Sequence, residues 1–475
     1  MFVQQFFVKG LAHSSYLLGG TDTCAIVDPQ RDIDIYLQAA EDMGMAITHI
    51  LETHLHADFV SGHLDLADAT GATIYAPRSA DCQFAHVGVG EGDNFALGDL
   101  TLSVLETPGH TPEHISYVVV DKARGPEPCA VFCGDTLFVG DVGRPDLFPG
   151  QAVELATKLY SSLHDKMLSL PDFCEVYPAH GAGSLCGRAM GAKRTSTIGY
   201  ERRYNAALLI ADRQAFVESL TTNMPAAPDH FSRCSAVNAA GPTRVGELPA
   251  LEPLRPAEFW ERSQRDETLV LDIRGYESFG GMHVPGAYHI DAGGNFSTFA
   301  GWLLPPTAEI LLVAVSLDQA AQAAVMLRRV GLDRVTGVLH GGMFAWARAG
   351  LPLGHVTQVS AHELHQMTTQ GEKLVLVDVR APSEYEKFHI EGALNIPAPD
   401  LRSRYTELDS QARTVVICST GHRSSMAASL LKQRGFADVV NVSGGMTGYT
   451  AAGFAPECPV CVVPHGPRFI GRQVA

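Results

Sequence analysis

The chain has 475 residues, which is too long for one hydrophobic core and suggests about three domains. Hydrophobic residues make up 46% of it and charged residues 18%, and no apolar run is long enough to span a bilayer. The net charge of −17 argues against nucleic acid or an anionic membrane as the main partner.

The N-terminal segment predicts a β-strand rather than a secretory signal. Residues 1–20 lack a basic region and a small-residue cleavage site, and their apolar residues alternate as in a strand. The 10 cysteines are too sparse and irregular for a disulfide framework, which fits a reducing compartment. We therefore expect a cytoplasmic protein. The sequence leaves open whether the chain forms a homo-oligomer.

Residues 1–245 predict an α/β domain. Short β-rich runs such as "CAIVDP" alternate with helical stretches such as "AVELATKLYSSLHDKML", and metal-capable residues follow the ends of the runs. In α/β proteins the loops at strand ends carry the chemistry, because the strands hold them in place. The Pro- and Ala-rich residues 223–256 predict an extended linker after this domain.

After the linker the chain repeats itself. The segments "LVLDIRGYESFGGMHVPGAYHI" and "LVLVDVRAPSEYEKFHIEGALNI" match at four pairs of positions, and each copy later carries "GGM". Such a repeat predicts two tandem small α/β domains, at 252–355 and 358–475. The matched pairs are Asp272/Asp378, Arg274/Arg380, His283/His389 and Gly286/Gly392.

Five segments of the first domain carry polar residues that suit a metal site. A single loop histidine is more often a hydrogen-bonding residue than a ligand, but five such segments, each after a β-like run, predict a shared site. The segments supply His54, His56 and Asp58 in "THLHADF", His110 in "TPGHT", Asp135 in "CGDTL", Arg144 and Asp146 in "GRPDL", and His180 in "YPAHG".

The order of these motifs resembles that of the metallo-β-lactamase superfamily, which implies an αββα sandwich with the loops along one edge. Within it, "GDTLFVGDVGRPDL" and "STIGYERRYN" look most like the persulfide dioxygenases, with thiolester hydrolases of the glyoxalase II type as the nearest relatives. The resemblance implies one Fe(II) per chain, with room for a persulfide and O2. It assigns the iron to His54, His110 and Asp135 and places His56, Asp58 and His180 around these ligands; plain hydrogen bonding between loops is the alternative for the last three.

Phe59 stands where the two-metal hydrolases of the superfamily have a metal-binding histidine, and a phenyl ring cannot coordinate a metal. The reaction implied by the resemblance is therefore oxidation of a persulfide, usually glutathione persulfide, by O2 to thiol and sulfite. Arg144 is the candidate contact for the substrate carboxylates, with an internal salt bridge to Asp146 as the equal alternative. Cys186 is a candidate sulfur relay, with simple packing as its alternative.

The second repeat contains "TVVICSTGHRSS", in which Cys418 lies between a β-rich run and a helix-forming segment. Loop amides and the helix dipole at such a turn stabilise a thiolate. With the "VDVR" and "GGM" segments, this loop resembles the rhodanese sulfurtransferases. The resemblance implies that Cys418 attacks a sulfur donor and that Arg423 holds the anionic thiosulfate or sulfite, together with the loop residues Ser419, Thr420, Gly421 and His422.

The first repeat has no cysteine between Cys234 and Cys418, and Ala314 or Val315 takes the nucleophile's place. We expect an inactive rhodanese-like domain that packs against or positions its neighbours; ligand binding by this domain stays open, because fold does not fix function. The "CPVC" pair, Cys458 and Cys461, lacks a second pair for zinc and is expected in a mobile tail.

Two other functions stay open. One is a zinc thiolester hydrolase of the glyoxalase II type with a rhodanese appendage, against which Phe59 argues. The other is a sulfur-carrier protein in which the metal is structural and only Cys418 reacts. The direction of sulfur transfer is also open, because thiosulfate and persulfide can each be donor or product.

Overall fold

A computed structural model describes residues 1–188, 190–222, 224 and 227–454. The Cys458/Cys461 pair lies outside these residues. The chain divides into two compact units, of which the first comprises Met1–Leu248 and Arg328–Gly331. The second contains Pro249–Leu327 and the described residues from Leu332 onward. Among the described residues, no helix combines the length and apolarity needed to cross a membrane.

The described residues of the first unit form two six-stranded sheets and six α-helices. The strands of each sheet are neighbours in sequence order. The first sheet has β1 Phe2–Val8, β2 His13–Gly19, β3 Thr23–Val27, β4 Ala46–Leu51, β5 Thr73–Pro77 and β6 Val87–Val89. The second has β7 Asn94–Leu97, β8 Leu100–Glu106, β9 Ile115–Asp121, β10 Ala130–Gly134, β11 Glu175–Pro178 and β12 Ser196–Thr197. The helices are α1 Asp34–Asp42, α2 His63–Thr70, α3 Ala152–Ser161, α4 Ile198–Tyr204, α5 Arg213–Thr221 and α6 His230–Ala240.

Alternate residues of these strands face two different apolar cores. Leu18 of β2 packs with Leu102 of β8 between the two sheets. The neighbouring Leu17 points the other way and packs with Tyr36 of α1. The outer face of the second sheet is covered in the same manner by α3 and α5. The predicted αββα sandwich is therefore confirmed, and its layering follows from the period of two along a strand.

The predicted extended linker is wrong for residues 230–240, which form α6. Phe231, Cys234 and Asn238 recur at helical spacing and are buried, so one face of α6 packs on the first unit. The Asn238 amide donates to the carbonyl groups of His56 and Phe59 at 2.9 and 2.8 Å. Helix α6 thus fastens the loop that carries the histidine motif.

The second unit contains two five-stranded parallel sheets with the same topology. Their strand orders are β13-β17-β16-β14-β15 and β18-β22-β21-β19-β20. The first domain has β13 Glu252–Leu254, β14 Thr268–Asp272, β15 Tyr288–His289, β16 Glu309–Val313 and β17 Val335–Leu339, with α7 Pro256–Ser263, α8 Tyr276–Gly281, α9 Phe296–Leu303, α10 Leu317–Arg328 and α11 Gly342–Arg348. The second has β18 Thr357–Val359, β19 Val375–Asp378, β20 Leu394–Asn395, β21 Thr414–Ile417 and β22 Val439–Val442, with α12 Ala361–Thr369, α13 Pro382–Lys387, α14 Leu401–Arg404, α15 His422–Gln433 and α16 Gly445–Ala451. The predicted tandem α/β domains are confirmed.

The repeated Asp and Arg residues have a structural role. Arg274 and Arg380 each form an ion pair of 2.6 Å with the aspartate two residues earlier. Each guanidinium also donates to a backbone carbonyl, of Met282 or Phe388, at 2.7 Å. These buried, satisfied pairs tie the turn after the first central strand to the next loop, in both copies alike.

Candidate functional site

Three loops at strand ends bring His54, His110 and Asp135 together. His54 follows β4, His110 follows β8 and Asp135 directly follows β10, and all three side chains are buried. Their candidate ligand atoms lie within 4.8 Å of one another. The Nε2 atoms of His110 and His54 are 3.3 and 3.8 Å from Oδ2 of Asp135. Sequence-distant loops thus form one group of two imidazoles and one carboxylate.

Hydrogen bonds orient the two imidazole rings of this group. Nδ1 of His110 donates to the carbonyl of Arg144 at 2.8 Å. Nδ1 of His54 lies 2.9 Å from the Thr53 hydroxyl, which itself donates to the Asp28 carboxylate at 3.0 Å. The two Nε2 atoms are buried without a hydrogen-bond partner. A bound metal would satisfy both lone pairs, so this group fits a metal ion.

His180 lies between two carboxylates. Its Nδ1 is 2.7 Å from Asp135 and its Nε2 is 2.8 Å from Asp58. Burial lowers the pKa of His180, but Asp135 and Asp58 outweigh it and hold the pKa well above its usual value. His180 is therefore an imidazolium that links Asp135, one of the three candidate metal ligands, to Asp58.

Cys186 forms a second group of candidate ligands with Asp58 and His180, whose ligand atoms also lie within 4.8 Å of one another. Burial, with the negative charges of Asp58 and Asp135, raises the pKa of the Cys186 thiol well above its usual value. The side chain also packs in a small apolar cluster with Ala57 and Phe138. At neutral pH Cys186 is a neutral, buried thiol.

His56 and Phe59 are not members of the first group, although the His56 ring lies 4.1 Å from the His54 ring. His56 lies 3.2 Å from Asp28, and the two form a third buried group with Glu52. The Phe59 ring is fully buried at 4.4 Å from the His56 ring and 4.0 Å from the His13 ring. Tilted ring contacts therefore surround Phe59, the residue next to Asp58.

Arg144 forms the internal salt bridge to Asp146 that was the alternative to a substrate contact. Its side chain is 1% exposed, and two of its nitrogens contact the Asp146 carboxylate at 2.7 Å each. A third donates to the carbonyl of Leu185 at 3.1 Å. Because its own carbonyl accepts from His110, Arg144 supports the ligand group through its backbone.

Sequence reasoning missed three buried residues beside this site: His13, Asp28 and His114. Nε2 of His114 accepts the backbone N–H of Asp135 at 2.9 Å, and its ring stacks on His54 at 4.8 Å. Burial and the nearby His110 lower the pKa of His114 to about 3, so its ring is neutral. The spacing of four residues after His110 was an available signal. Asp28, directly after β3, was another.

The second candidate site is the loop between β21 and α15. Cys418 follows β21 and is buried. Its Sγ accepts hydrogen bonds from the Gly421 N–H at 3.1 Å and the Ser424 hydroxyl at 3.3 Å. Both donors favour a negative charge on sulfur, as a nucleophile requires.

Arg423 reaches this loop but is already paired. Its guanidinium donates to both oxygens of Glu384 at 2.7 and 2.9 Å and to the Ser419 hydroxyl at 2.7 Å. The Ser419 hydroxyl in turn donates to Glu384 at 3.0 Å. Glu384, which sequence reasoning also missed, therefore shares Arg423 with any anion at Cys418.

The other rhodanese-like domain has Ala314 in place of the cysteine. Val313 ends β16 opposite Asp272, just as Ile417 ends β21 opposite Asp378. Ala314 follows as Cys418 does. The matched register shows that Ala314 holds the position of Cys418, so the first copy has the same fold but no thiol in this loop.

Comparison with known proteins agrees with this architecture. The model of the metallo-beta-lactamase superfamily matches residues 8–180, and that of the rhodanese-like domain matches residues 255–349 and 360–452. A solved metallo-beta-lactamase from Staphylococcus aureus subsp. aureus COL has 34% identity and a TM-score of 0.65, covering 71% of this chain and 99% of that one.

Two curated relatives differ in activity. Hydroxyacylglutathione hydrolase of Rhodospirillum rubrum is 38% identical over 34% of this chain and 58% of its own length. The mitochondrial persulfide dioxygenase ETHE1 of Mus musculus is 29% identical over 47% of this chain and 82% of its own length. The fold, the buried ligand group and these matches together show that the chain belongs to the metallo-β-lactamase superfamily, with persulfide dioxygenase homologues, and carries two rhodanese-like domains.

Proposed function

We propose that this chain is a non-haem iron persulfide dioxygenase joined to a sulfurtransferase. It oxidises a low-molecular-weight persulfide, and glutathione persulfide is the proposed substrate. One R–S–SH, one O2 and one water give R–SH, sulfite and two protons. The proposed compartment is the cytoplasm, where thiols stay reduced; all eight cysteines among the described residues are free.

The proposal rests on the His54, His110 and Asp135 group beside Phe59. Two imidazoles and one carboxylate are the ligand set of non-haem iron oxygenases. Fe(II) bound there supplies the redox chemistry with O2 that zinc lacks. Phe59 gives a second metal no nitrogen ligand next to Asp58. The chain's own residues hold the ligands in place: Thr53 and the Arg144 carbonyl fix the rings.

Asp58, His56 and His180 are assigned to the surroundings of the metal. His180 holds a proton between Asp58 and Asp135 and so links the two buried carboxylates. His56 lies 3.2 Å from Asp28, whose carboxylate accepts from Thr53 and so supports His54. These contacts orient ligands and exclude water, as groups around metal ligands do elsewhere.

Cys418 is proposed to carry sulfane sulfur. Its thiolate attacks the outer sulfur of thiosulfate, the S–S bond breaks, and sulfite leaves with the bonding electron pair. Cys418 then holds a persulfide, whose charge the Gly421 amide and the Ser424 hydroxyl can share. A thiol takes the sulfur in the next step and so becomes a substrate of the iron site. In the reverse direction, sulfite takes it.

A second candidate, a two-zinc thiolester hydrolase, has one observation in its favour. Asp58, His180 and Cys186 form a further buried group that could hold a second ion, and the hydroxyacylglutathione hydrolases are among the relatives. In this structure, however, both ring nitrogens of His180 are engaged by carboxylates. We therefore rank this candidate second.

The deciding experiment combines metal analysis with oxygen-electrode traces on the same preparation. We expect about one iron per chain and oxygen uptake that depends on glutathione persulfide. His110→Ala and Asp135→Ala should lose iron and uptake together. The matched control is His49→Ala, a histidine of β4 outside all three ligand groups. Two zincs with rapid cleavage of S-lactoylglutathione and no oxygen uptake would establish the hydrolase instead.

A further inference from the structure

A cavity of about 300 Å³ lies beside the Cys418 loop, between the two rhodanese-like domains of the second unit. One wall comes from the catalytic domain, with Thr420, His422 and Met426. The opposite wall comes from the domain without a cysteine, with Asp291, Phe296 and Phe299. Its volume lies in the range of pockets that hold small organic ligands.

Hydrogen bonds between the two domains hold this second wall in place. The backbone N–H of His289, at the end of β15, donates to the Ser429 hydroxyl at 3.0 Å. The Ser425 hydroxyl lies 3.0 Å from Nδ1 of the same histidine, and its Nε2 donates to the Arg274 carbonyl at 2.8 Å. Ser425 and Ser429 lie on α15, the helix that begins in the nucleophile loop. The wall therefore keeps a fixed position relative to Cys418.

Two residues of the non-catalytic domain act on His422. Asp291 contacts Nδ1 of His422 at 3.1 Å, and this hydrogen bond raises the pKa of His422 above its usual value. The Tyr276 ring meets the His422 ring edge-on at 5.1 Å. A Cβ at Gly421, whose φ is +99°, would lie 3.0 Å from the Tyr276 ring. Tyr276 and Asp291 thus set the position and the charge of His422.

The charges and apolar surfaces of the cavity indicate the kind of ligand. Arg423, its other basic lining residue, is bound to Glu384 on both oxygens. His422 is about half exposed, and the Asp291 contact on its Nδ1 favours the protonated ring, which a ligand carboxylate can bind. Phe299 and Met426 add apolar surface that a small inorganic anion such as thiosulfate cannot use. An organic sulfur donor or acceptor with a carboxylate can contact both His422 and this apolar surface.

We propose that the domain without a cysteine forms the organic-thiol subsite of Cys418. Asp291 is the positioning residue that holds His422 toward the carboxylate of a low-molecular-weight organic persulfide, whose carbon body packs against Phe299 and Met426. This inference rests on the proposed sulfur-transfer function and names its substrate class.

The transfer itself needs no added oxidant or reductant. The Cys418 thiolate attacks the outer sulfur of R–S–SH, the S–S bond breaks, and the electron pair of that bond leaves with R–S. The proton of the outer sulfur moves to the released thiolate. The products are Cys418 persulfide and R–SH. The reverse step returns the sulfur to an organic thiol.

The test uses the full-length protein with glutathione persulfide or thiosulfate as donor and cyanide as acceptor, read as thiocyanate. In Asp291→Asn and Phe299→Ala we expect KM for glutathione persulfide to rise about tenfold with kcat little changed, the sign of lost binding. The ratio of kcat/KM for the persulfide to that for thiosulfate should fall by about the same factor. Asp266→Asn, an exposed acid of the same domain outside the cavity lining, is the matched control and should behave as the parent.

S-methylglutathione gives a binding readout that needs no reaction. Its inhibition constant against sulfur transfer should rise about tenfold in Phe299→Ala. Two results would overturn the subsite inference and leave the proposed sulfur transfer standing. In one, the variants match the parent in KM and in this inhibition constant; in the other, they lose activity equally with glutathione persulfide and with thiosulfate. A parent that transfers sulfur from neither donor overturns the proposed function, and the inference with it. Cys418→Ser shows that any transfer measured comes from this loop.

Discussion

Arg423 and Glu384 form a buried two-point ion pair that also binds the Ser419 hydroxyl next to Cys418. The pair joins α13 to the first turn of α15, so it holds the nucleophile loop in place as well as presenting a cation to it. Its loss should therefore affect both stability and sulfur transfer.

For Glu384→Gln we expect a loss of about 3 kcal/mol in unfolding free energy, because Arg423 stays buried without a countercharge. The kcat for thiosulfate sulfur transfer should fall at least about tenfold as the loop loosens. Urea denaturation and thiocyanate formation measure the two effects. Glu391→Gln, an exposed acid of the same domain, should change neither. Unchanged stability in Glu384→Gln would show that the pair does not hold the loop.

Phe59→His tests whether the phenyl ring restricts the first domain to one metal. A histidine here would offer a nitrogen ligand next to Asp58, so the zinc content after refolding with excess zinc should rise from about one to about two ions per chain. Phe59→Leu, which fills the space without a donor atom, should stay at about one. Elemental analysis decides, and a single zinc in both variants would mean that the surrounding rings, not the missing donor, exclude the second ion.

Arg144→Ala separates substrate binding from support of His110. Because the guanidinium is buried against Asp146 and the Leu185 carbonyl, we expect lower iron content and oxygen uptake, with KM for glutathione persulfide within about twofold of the parent. Asp146→Asn, which breaks the salt bridge but keeps the guanidinium, should show the same loss in weaker form. A KM raised about tenfold at full iron content would instead make Arg144 a contact of the substrate carboxylate.

Gly445→Ala should stop sulfur transfer by displacing the nucleophile. Gly445 has a φ of +52°, and a Cβ there would collide with the carbonyl oxygen of Cys418. Gly342 is its counterpart, with a φ of +57° and 3.4 Å of room to the Ala314 carbonyl. Each substitution costs about 1 kcal/mol for the left-handed backbone, but only Gly445→Ala should also abolish thiocyanate formation. Equal activity in both variants would contradict the predicted collision.

His283 predicts a loss of stability in acid. Burial lowers its pKa from 6.5 to about 4, and its Nδ1 donates to the Phe279 carbonyl at 2.8 Å. Between these two values the unfolded chain binds a proton that the folded chain does not, so stability is full above pH 6.5 and falls as the pH drops toward 4. The unfolding free energy lost through His283 over this pH range is roughly 3 kcal/mol.

The measurement is the midpoint of thermal unfolding between about pH 7 and pH 4.5. His283→Gln should lower the midpoint at neutral pH and show a weaker decline on acidification than the parent. The matched control is His389→Gln, the exposed counterpart in the other copy, which should keep the parent's decline. Parallel curves for parent and His283→Gln would refute the assignment.

The sandwich, the tandem repeat and the residues of both candidate sites could be predicted because each motif directly follows a β-rich run. The loops after β4 of the first sheet and after β8 and β10 of the second sheet bring His54, His110 and Asp135 together. The partners of these residues could not be predicted. Glu384 reaches Arg423 from 39 positions away, and Asp28 acts on His54 through Thr53. Such pairs depend on side-chain packing, and a single sequence carries no periodic signal for it.

The cavity wall that contains Asp291 and Phe299 could not be predicted either. These residues belong to the domain without a cysteine, and no sequence motif links them to the Cys418 loop. The linker error has a related cause. Proline and alanine suggested extended chain, while the apolar spacing of Phe231 and Cys234 already favoured a helix. In both cases the position of the residues, and not the composition of the segment, carries the structural signal.

The paired glycines after β17 and β22 bear on how such domains are counted in genomes. Gly341 and Gly342 have the same left-handed backbone as Gly444 and Gly445, although Ala314 stands in the first copy where the second has Cys418. The turn therefore serves the backbone path in both copies, with or without a thiol beside it. A survey that takes this dipeptide as a sign of sulfur transfer would count two sulfurtransferase domains in this chain, although the first has no cysteine at the loop position.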